Sequence, residues 1–377
     1  MMHSLRPTWA EIDLGAIAHN IKQVKNKLQP GSSLMAVIKA NAYGHGTVEV
    51  ARVCANEGAD FLAVALLDEA CQLRDHGIKT PILILGYSPR EGLDTVVRSG
   101  FRQTIYDWES ALALSEAALK ADQPAMVHIK LDTGMSRIGF FPDKDSVDTV
   151  IRISKLPGLV IEGIFTHFAL ADSLERSYTN QQLERFNRFI SSLSDMGLKI
   201  PFRHAANSAG ILEYPEAHLD MVRAGISIYG MRPSDEVRMD GLNLIPAMRL
   251  ISHVVMIKEL PAGTPVSYGC TYVTDRPTLV ATVPVGYGDG YIRAYSNRAW
   301  ASIRGKRVPM IGRVCMDYCM FDVTALDEVS MGDEVTMFGR EEDGITADNL
   351  AEIAQTINYE VVCLVNSRVP RVYVNKR

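Results

Sequence analysis

Eight short apolar runs alternate with longer segments of helical period through the first two-thirds of the chain, and this alternation limits the fold more than any other feature. The runs are Leu34 to Ala40, Phe61 to Leu66, Pro81 to Gly86, Arg102 to Tyr106, Ala125 to Asp132, Val160 to Thr166, Phe202 to Ala206 and Met221 to Ser227. Short apolar runs separated by amphipathic segments read as parallel strands covered by helices. Two of the segments between them show their helical character plainly. Asp107 is a candidate N-cap for Asp107 to Ala121, and Ser177 to Met196 carries Leu183, Phe186, Phe189, Ile190 and Leu193 at helical spacing, a stripe that reads as core packing. Eight parallel strands close a barrel. An α/β fold is therefore expected, a (β/α)8 TIM barrel over roughly residues 12 to 242, close to the usual size of about 250 residues.

From about Leu244 the rhythm changes to β-rich runs: Met248 to Glu259, Thr278 to Gly286, Ala299 to Ile303, Val308 to Ile311, Tyr318 to Val323 and Glu334 to Gly339, with one helical piece at Ala347 to Thr356. A chain of 377 residues exceeds the usual size of one core, so two domains are expected, 1–242 as the barrel and 243–377 as a mostly β C-terminal domain. Thr8 to Asp13 precedes the first barrel helix and has no partner among the eight strands. It is expected to pair with the C-terminal domain.

Charge and hydropathy exclude several classes. The formal net charge is −5, and no Lys/Arg-rich run tracks a phosphate backbone, which argues against a nucleic-acid partner. The opening MMHSLRPTWAEIDLG lacks the apolar region of a leader, and no apolar stretch approaches about 18 residues, so a cytoplasmic protein without membrane contact is expected. The six cysteines, Cys54, Cys71, Cys270, Cys315, Cys319 and Cys363, are scattered through apolar or β-like segments and read as buried free thiols. Only Cys315 and Cys319 are close together, which is too little for zinc, and no metal site is expected.

Barrel enzymes work at the C-terminal ends of their strands. Lys39 stands there in "AVIKANAYGHG", Arg137 in "KLDTGMSRIGF", His167 in "IFTHFA", His204 and Ser208 in "FRHAANSAG", and Arg223 with Gly225 in "MVRAGISIYG". Taken singly, each has a structural reading: a snorkelling lysine, a core histidine, an arginine paired with a carboxylate. Gathered at one mouth, they suit a carbonyl cofactor that carries a phosphate. A desolvated lysine forms a Schiff base, the Gly225-Ile226 turn offers N–H groups to phosphate beside the Ser208 hydroxyl, and Arg137 can clamp a carboxylate. Pyridoxal phosphate bound as an aldimine to Lys39 meets all of these roles.

The chain closely resembles the bacterial alanine racemase family, fold-type III enzymes that use pyridoxal phosphate. The likeness runs from "TWAEIDLGAIAHNI" through the motifs above to "VSYGCTY", "VPVGYGDGY", "GRVCMDY", "INYEVVC" and "RVPRVY". It implies that Lys39 holds the cofactor and is one base, and that Tyr268, supplied by the partner subunit of a homodimer with shared active sites, is the other. It implies that Tyr43, Ser208, Gly225, Ile226 and Tyr359 hold the phosphate, that Arg223 faces the pyridine nitrogen, and that Arg137 and the backbone of Met316 hold the substrate carboxylate. His167 would orient Tyr268 and His204 would orient Arg223. The family lysine matching Lys130 is often carbamylated and braces the arginine matching Arg137. Two departures stand out: Gly288 where alanine is common, and Tyr318 after Asp317 where glutamine is frequent.

The implied activity is interconversion of L-alanine and D-alanine, supplying D-alanine for peptidoglycan. Two bases are needed, because one base acting on a single face would mostly restore the starting enantiomer. Arginine does not surrender its proton, so Arg223 would leave the ring nitrogen an acceptor and weaken the electron sink. The competing readings are a racemase that also takes serine, a fold-type III amino-acid decarboxylase, a class I aldolase, and a cofactor-carrying barrel without turnover.

Overall fold

The structure is a computed structural model that describes residues 6–376. Its strands are β1 (Trp9–Asp13), β2 (Ser33–Val37), β3 (Phe61–Val64), β4 (Ile82–Ile84), β5 (Arg102–Ile105), β6 (Ala125–Lys130), β7 (Leu159–Phe165), β8 (Phe202–His204) and β9 (Met221–Ala224), followed by ten more. β2 to β9 form one parallel sheet in the order β8-β7-β6-β5-β4-β3-β2-β9. Its two ends are tied by the Asp220 N–H on Arg203 O at 3.1 Å and the Arg223 N–H on Ala206 O at 3.0 Å. This is the expected eight-stranded barrel with its helices. Asp107 caps the helix Trp108–Ala121 by accepting the Ser110 N–H at 2.6 Å. The helix Ser177–Asp195 buries Leu183, Phe186, Phe189 and Leu193, so its aromatic stripe is core.

The β-rich region holds β10 (Met248–His253), β11 (Met256–Leu260), β12 (Pro265–Val266), β13 (Tyr272–Val273), β14 (Thr278–Val283), β15 (Trp300–Ile303), β16 (Lys306–Pro309), β17 (Cys319–Asp322), β18 (Glu334–Phe338) and β19 (Arg371–Val374). They form a six-stranded sheet β16-β15-β18-β10-β1-β19, a three-stranded sheet β11-β14-β17 and the pair β12-β13. β1 runs antiparallel to β10 and parallel to β19, with Ala10 and Ile12 buried on alternate positions. The chain divides into two compact units. One comprises Ile17–Ala42 and Thr47–Leu244; the other takes the chain through Ala16, the short segment Tyr43–Gly46, and Ile245 onward.

Three expectations change. The run Met248 to Glu259 is two strands in different sheets, because the Val254 N–H bonds Asp333 O while the next N–H, of Val255, bonds Thr282 O. The first and last barrel runs stop early, at Val37 and Ala224, where the backbone leaves the extended region. Of the six thiols, which are all free, only Cys54 and Cys319 are buried, while Cys270 and Cys363 are exposed. Cys363 follows the buried Val361 and Val362 on the helix Asn358–Leu364, so the helical turn carries it to the open face. Among the described residues no helix is long and apolar enough to cross a membrane, and no cluster of His, Cys, Asp and Glu could hold a metal ion.

Candidate active site

Lys39 is half-buried at the end of β2 and opens an unusual turn. Ala40, Asn41, Ala42 and Tyr43 all have φ between 51° and 54°, a run of four non-glycine residues in the left-handed region. Such a conformation costs roughly 1–2 kcal/mol per residue and persists only where the surroundings impose it. Here the Ala40 N–H bonds Glu69 Oε1 at 2.6 Å, and the Ala42 N–H bonds Ile38 O at 3.0 Å. Asn41 Oδ1 accepts from the N–H and hydroxyl of Thr47 at 3.1 and 3.3 Å. The lysine therefore leaves the strand on a backbone held at several points.

Arg223, on β9, is buried, and none of the ion pairs among the described residues involves it. Its Nη1 donates to His204 Nδ1 and to His204 O, both at 3.0 Å; its Nη2 donates to Thr166 O at 2.8 Å, to Ala205 O at 2.9 Å and to His167 Nδ1 at 3.3 Å. Burial, reinforced by the Arg223 charge, pushes both His167 and His204 well below the ordinary imidazole value. Both are neutral acceptors for the guanidinium.

Lys130, at the end of β6, is buried and donates to Leu131 O at 2.7 Å. Burial, with Arg223 next, pulls its amine down to about 7. Asp132 takes the N–H groups of Gly134, Ser136 and Arg137 at 2.9 to 3.0 Å. Burial pushes its carboxyl up, but these three donors outweigh burial and hold it below its ordinary value. The loop is thereby pinned, and the Arg137 side chain stands exposed at its end. Ser208 Oγ accepts from the Gly225 N–H at 2.9 Å and the Ser227 N–H at 3.4 Å, which brings Ser208, Gly225 and Ile226 together at the ends of β8 and β9.

Lys39, Lys130, Arg137, His167, His204, Ser208, Arg223, Gly225 and Ile226 thus share one unit, and four of them carry basic lysine or arginine side chains. Tyr43, Tyr268, Met316 and Tyr359 belong to the other. The Tyr43 and Tyr359 rings lie 6.1 Å apart, and burial raises the Tyr43 phenol above its ordinary value. Tyr268 is 65% exposed and follows Ser267, which has φ 64°. The Met316 carbonyl accepts the Gly288 N–H at 2.9 Å. A Cβ on Gly288 would fall 2.1 Å from Arg368 Nη1, so in this chain the arginine fills the space a methyl group would need.

Glu69, Asp132, His128, Glu162 and Arg102 were not anticipated. The signal available was a carboxylate inside the apolar run "LVIEGIF" and a histidine inside "MVHIK", each of which also passes as strand edge.

The fold and this mouth define a barrel enzyme with a cationic site, suited to small anions, built around one strand-end lysine. The chain belongs to the alanine racemase family, whose members are cofactor-dependent isomerases: models of the alanine racemase N-terminal and C-terminal domains match residues 12–233 and 247–373. It is 46% identical to the alanine racemase of Methanococcus maripaludis, over 98% of this chain and 99% of that one. With alanine racemase 1 of Clostridium acetobutylicum the identity is 47%, over 99% and 97% of the two chains. Alanine racemase of Clostridium difficile superposes with a TM-score of 0.95 at 42% identity, covering 98% of this chain and 96% of that one. The Bacillus anthracis alanine racemase crystallised with bound L-Ala-P gives 0.92 at 38% identity, covering 99% and 96%.

Proposed function

We propose that the protein interconverts L-alanine and D-alanine, using pyridoxal 5'-phosphate held at Lys39, as a cytoplasmic homodimer that supplies D-alanine for peptidoglycan. The observation that carries the reading is the gathering of Lys39, Lys130, Arg137 and Arg223 around neutral imidazoles, with Asp132 already committed to three backbone donors. Such an excess of positive charge fits an anionic group, and the donor set fits this cofactor. Lys39 would hold its aldehyde carbon, Arg223 its ring nitrogen, and Ser208, Gly225, Ile226, Tyr43 and Tyr359 its phosphate. Once bound, it would draw off electron density from the substrate Cα and so acidify the Cα proton.

The remaining work falls to the chain itself. Arg137 and the Met316 N–H would fix the alanine carboxylate, which leaves the Cα proton facing one base or the other. Lys39 Nζ would take or return that proton on one face and Tyr268 Oη, from the partner subunit, on the opposite face. His167, held on Arg223, would orient the tyrosine. Lys130, braced beside the loop that carries Arg137, would set that arginine's direction.

The test is a chiral assay of the purified protein against a panel of L-amino acids. Equilibration of L- and D-alanine is expected, with loss of both turnover and the borohydride-reducible chromophore in Lys39→Ala. Release of CO2 from a basic amino acid would replace this reading with a decarboxylase, and equal rates on serine would broaden it. A Lys39→Ala protein that kept the reducible chromophore would place the cofactor elsewhere.

A further inference from the structure

Behind Arg223, inside the barrel, His204 leads into a buried row of titratable side chains, His128 and Glu162, that the proposed chemistry does not use. His204 Nε2 is 2.8 Å from His128 Nδ1, and His128 Nε2 is 3.1 Å from Glu162 Oε2. Arg102 Nε and Nη2 donate to the two oxygens of Glu162 at 2.9 and 3.0 Å. Both imidazoles are fully buried, and Glu162 is 9% exposed.

The two ends give the row one direction. A guanidinium can only donate and an ionised carboxylate can only accept. Arg223 Nη1 donates to His204 Nδ1, so that nitrogen carries a lone pair and the proton sits on Nε2. The Nε2–H of His204 then donates to His128 Nδ1, which places the second proton on His128 Nε2, directed at Glu162. Reversing His204 sets an N–H against the Arg223 N–H, and reversing His128 sets an N–H against the His204 N–H and a lone pair against the Glu162 carboxylate. Charging His128 also sets an N–H against Arg223, since a proton on its Nδ1 would force His204 to carry one on the side facing Arg223.

The backbone is shaped for this row. The β6–β7 register pairs Val127 with Ile161 and then His128 with Gly163, which leaves Glu162 as the extra residue of a bulge. A Cβ on Gly163 would lie 2.3 Å from His128 Nδ1, so only glycine leaves room for the ring. The His204 ring is also held, stacked on Phe165 at 4.8 Å with an interplanar angle of 6°.

We propose that Glu162 is a positioning residue for Arg223: acting through His128 and His204, it fixes the tautomer of both rings so that the guanidinium always meets a lone pair. Nη1 is thereby anchored, and Nη2 is kept beside His167 at the barrel mouth. The inference rests on the reading that Arg223 faces the cofactor ring.

The experiment labels the histidines of the full-length holoenzyme with nitrogen-15 and reads the imidazole N–H signals together with steady-state kinetics. Wild type is expected to show exchange-protected Nε2–H groups on both His128 and His204, with Nδ1 unprotonated. In Glu162→Gln the end of the row can donate instead of accept. Protonated Nδ1 should then appear at His128, and kcat should fall at least tenfold with KM for alanine within twofold. Arg102→Gln keeps the carboxylate, so the wild-type tautomers should persist with kcat within about threefold. An Nδ1–H on either ring of wild type, or an unchanged kcat in Glu162→Gln, overturns the proposal. A wild-type protein that bound no pyridoxal phosphate would instead defeat the functional reading, and the ring signals would still decide the row.

Discussion

Glu69 ties the residue after the barrel lysine to the next strand: its Oε1 accepts the Ala40 N–H at 2.6 Å, while its Oε2 accepts the Ala65 N–H at 2.8 Å and the Leu66 N–H at 3.2 Å. One carboxylate thus caps the helix Leu67–Asp75 and steadies the left-handed turn that carries Lys39. Removing it abandons three backbone donors at once. Glu69→Ala should cost about 0.5–2 kcal/mol of stability, the range for a lost helix cap. A urea titration reads this as a lower midpoint with an unchanged slope, and an unchanged midpoint would show that the turn holds without the carboxylate.

Gly163→Ala tests the space under His128. The added methyl group would sit 2.3 Å from a ring nitrogen that is itself hydrogen-bonded, so the ring or the strand must move. Overpacking of this kind typically costs about 1–3 kcal/mol. Thermal unfolding should show the loss, along with displaced His128 and His204 resonances. A variant as stable as wild type with unshifted rings would mean that the bulge absorbs the methyl group.

Lys130 should make stability depend on pH. Its amine titrates at about 7 in the fold against an ordinary value of 10.5, so between those values the unfolded chain binds the extra proton. Stability therefore rises with pH across that window in CO2-free buffer, and Lys130→Met should remove that part of the slope. Equal slopes in the two proteins would contradict the shift.

The same lowered value leaves much of the Lys130 amine neutral near pH 7. A neutral amine adds to CO2, forming an N–C bond and releasing a proton, which turns the basic side chain into an anionic carbamate. Protein equilibrated with carbon-13 bicarbonate should show a carbamate carbon signal that grows as pH rises through about 7 and is missing from Lys130→Arg. The same signal in Lys130→Arg would assign the modification to another amine.

Mixed dimers test the shared site. Lys39→Ala and Tyr268→Ala chains, each inactive alone, would pair at random on co-expression, and about half of the dimers would be mixed. Each mixed dimer would hold one site with both bases and one with neither, so about a quarter of wild-type activity should return. Mixed dimers that form and stay inactive would put both bases in one chain's site.

What the amino-acid order determined by itself was everything written in local period and punctuation. Apolar runs between turn residues gave eight strands in their order, Asp107 marked a helix start, and Lys39, His167, His204 and Arg223 fell at or near strand ends because each closes or follows an apolar run. These are short-range properties, and each can be read within a dozen residues. The tertiary structure alone decided what depends on partners far along the chain. His128 meets Glu162 and His204 from 34 and 76 residues away, and only a bulge in β7 turns the carboxylate toward the ring. Within the left-handed run from Ala40 to Tyr43 only Asn41 is a residue type that takes this conformation readily. The distant Glu69 holds the Ala40 N–H in place for the run, and Thr47 donates to Asn41. The helix Asn358–Leu364, which carries Tyr359, also escaped the sequence, as did the change of sheet between β10 and β11. Period specifies which residues face inward, but hydrogen-bond direction and backbone strain are set by groups that meet only once the chain has folded.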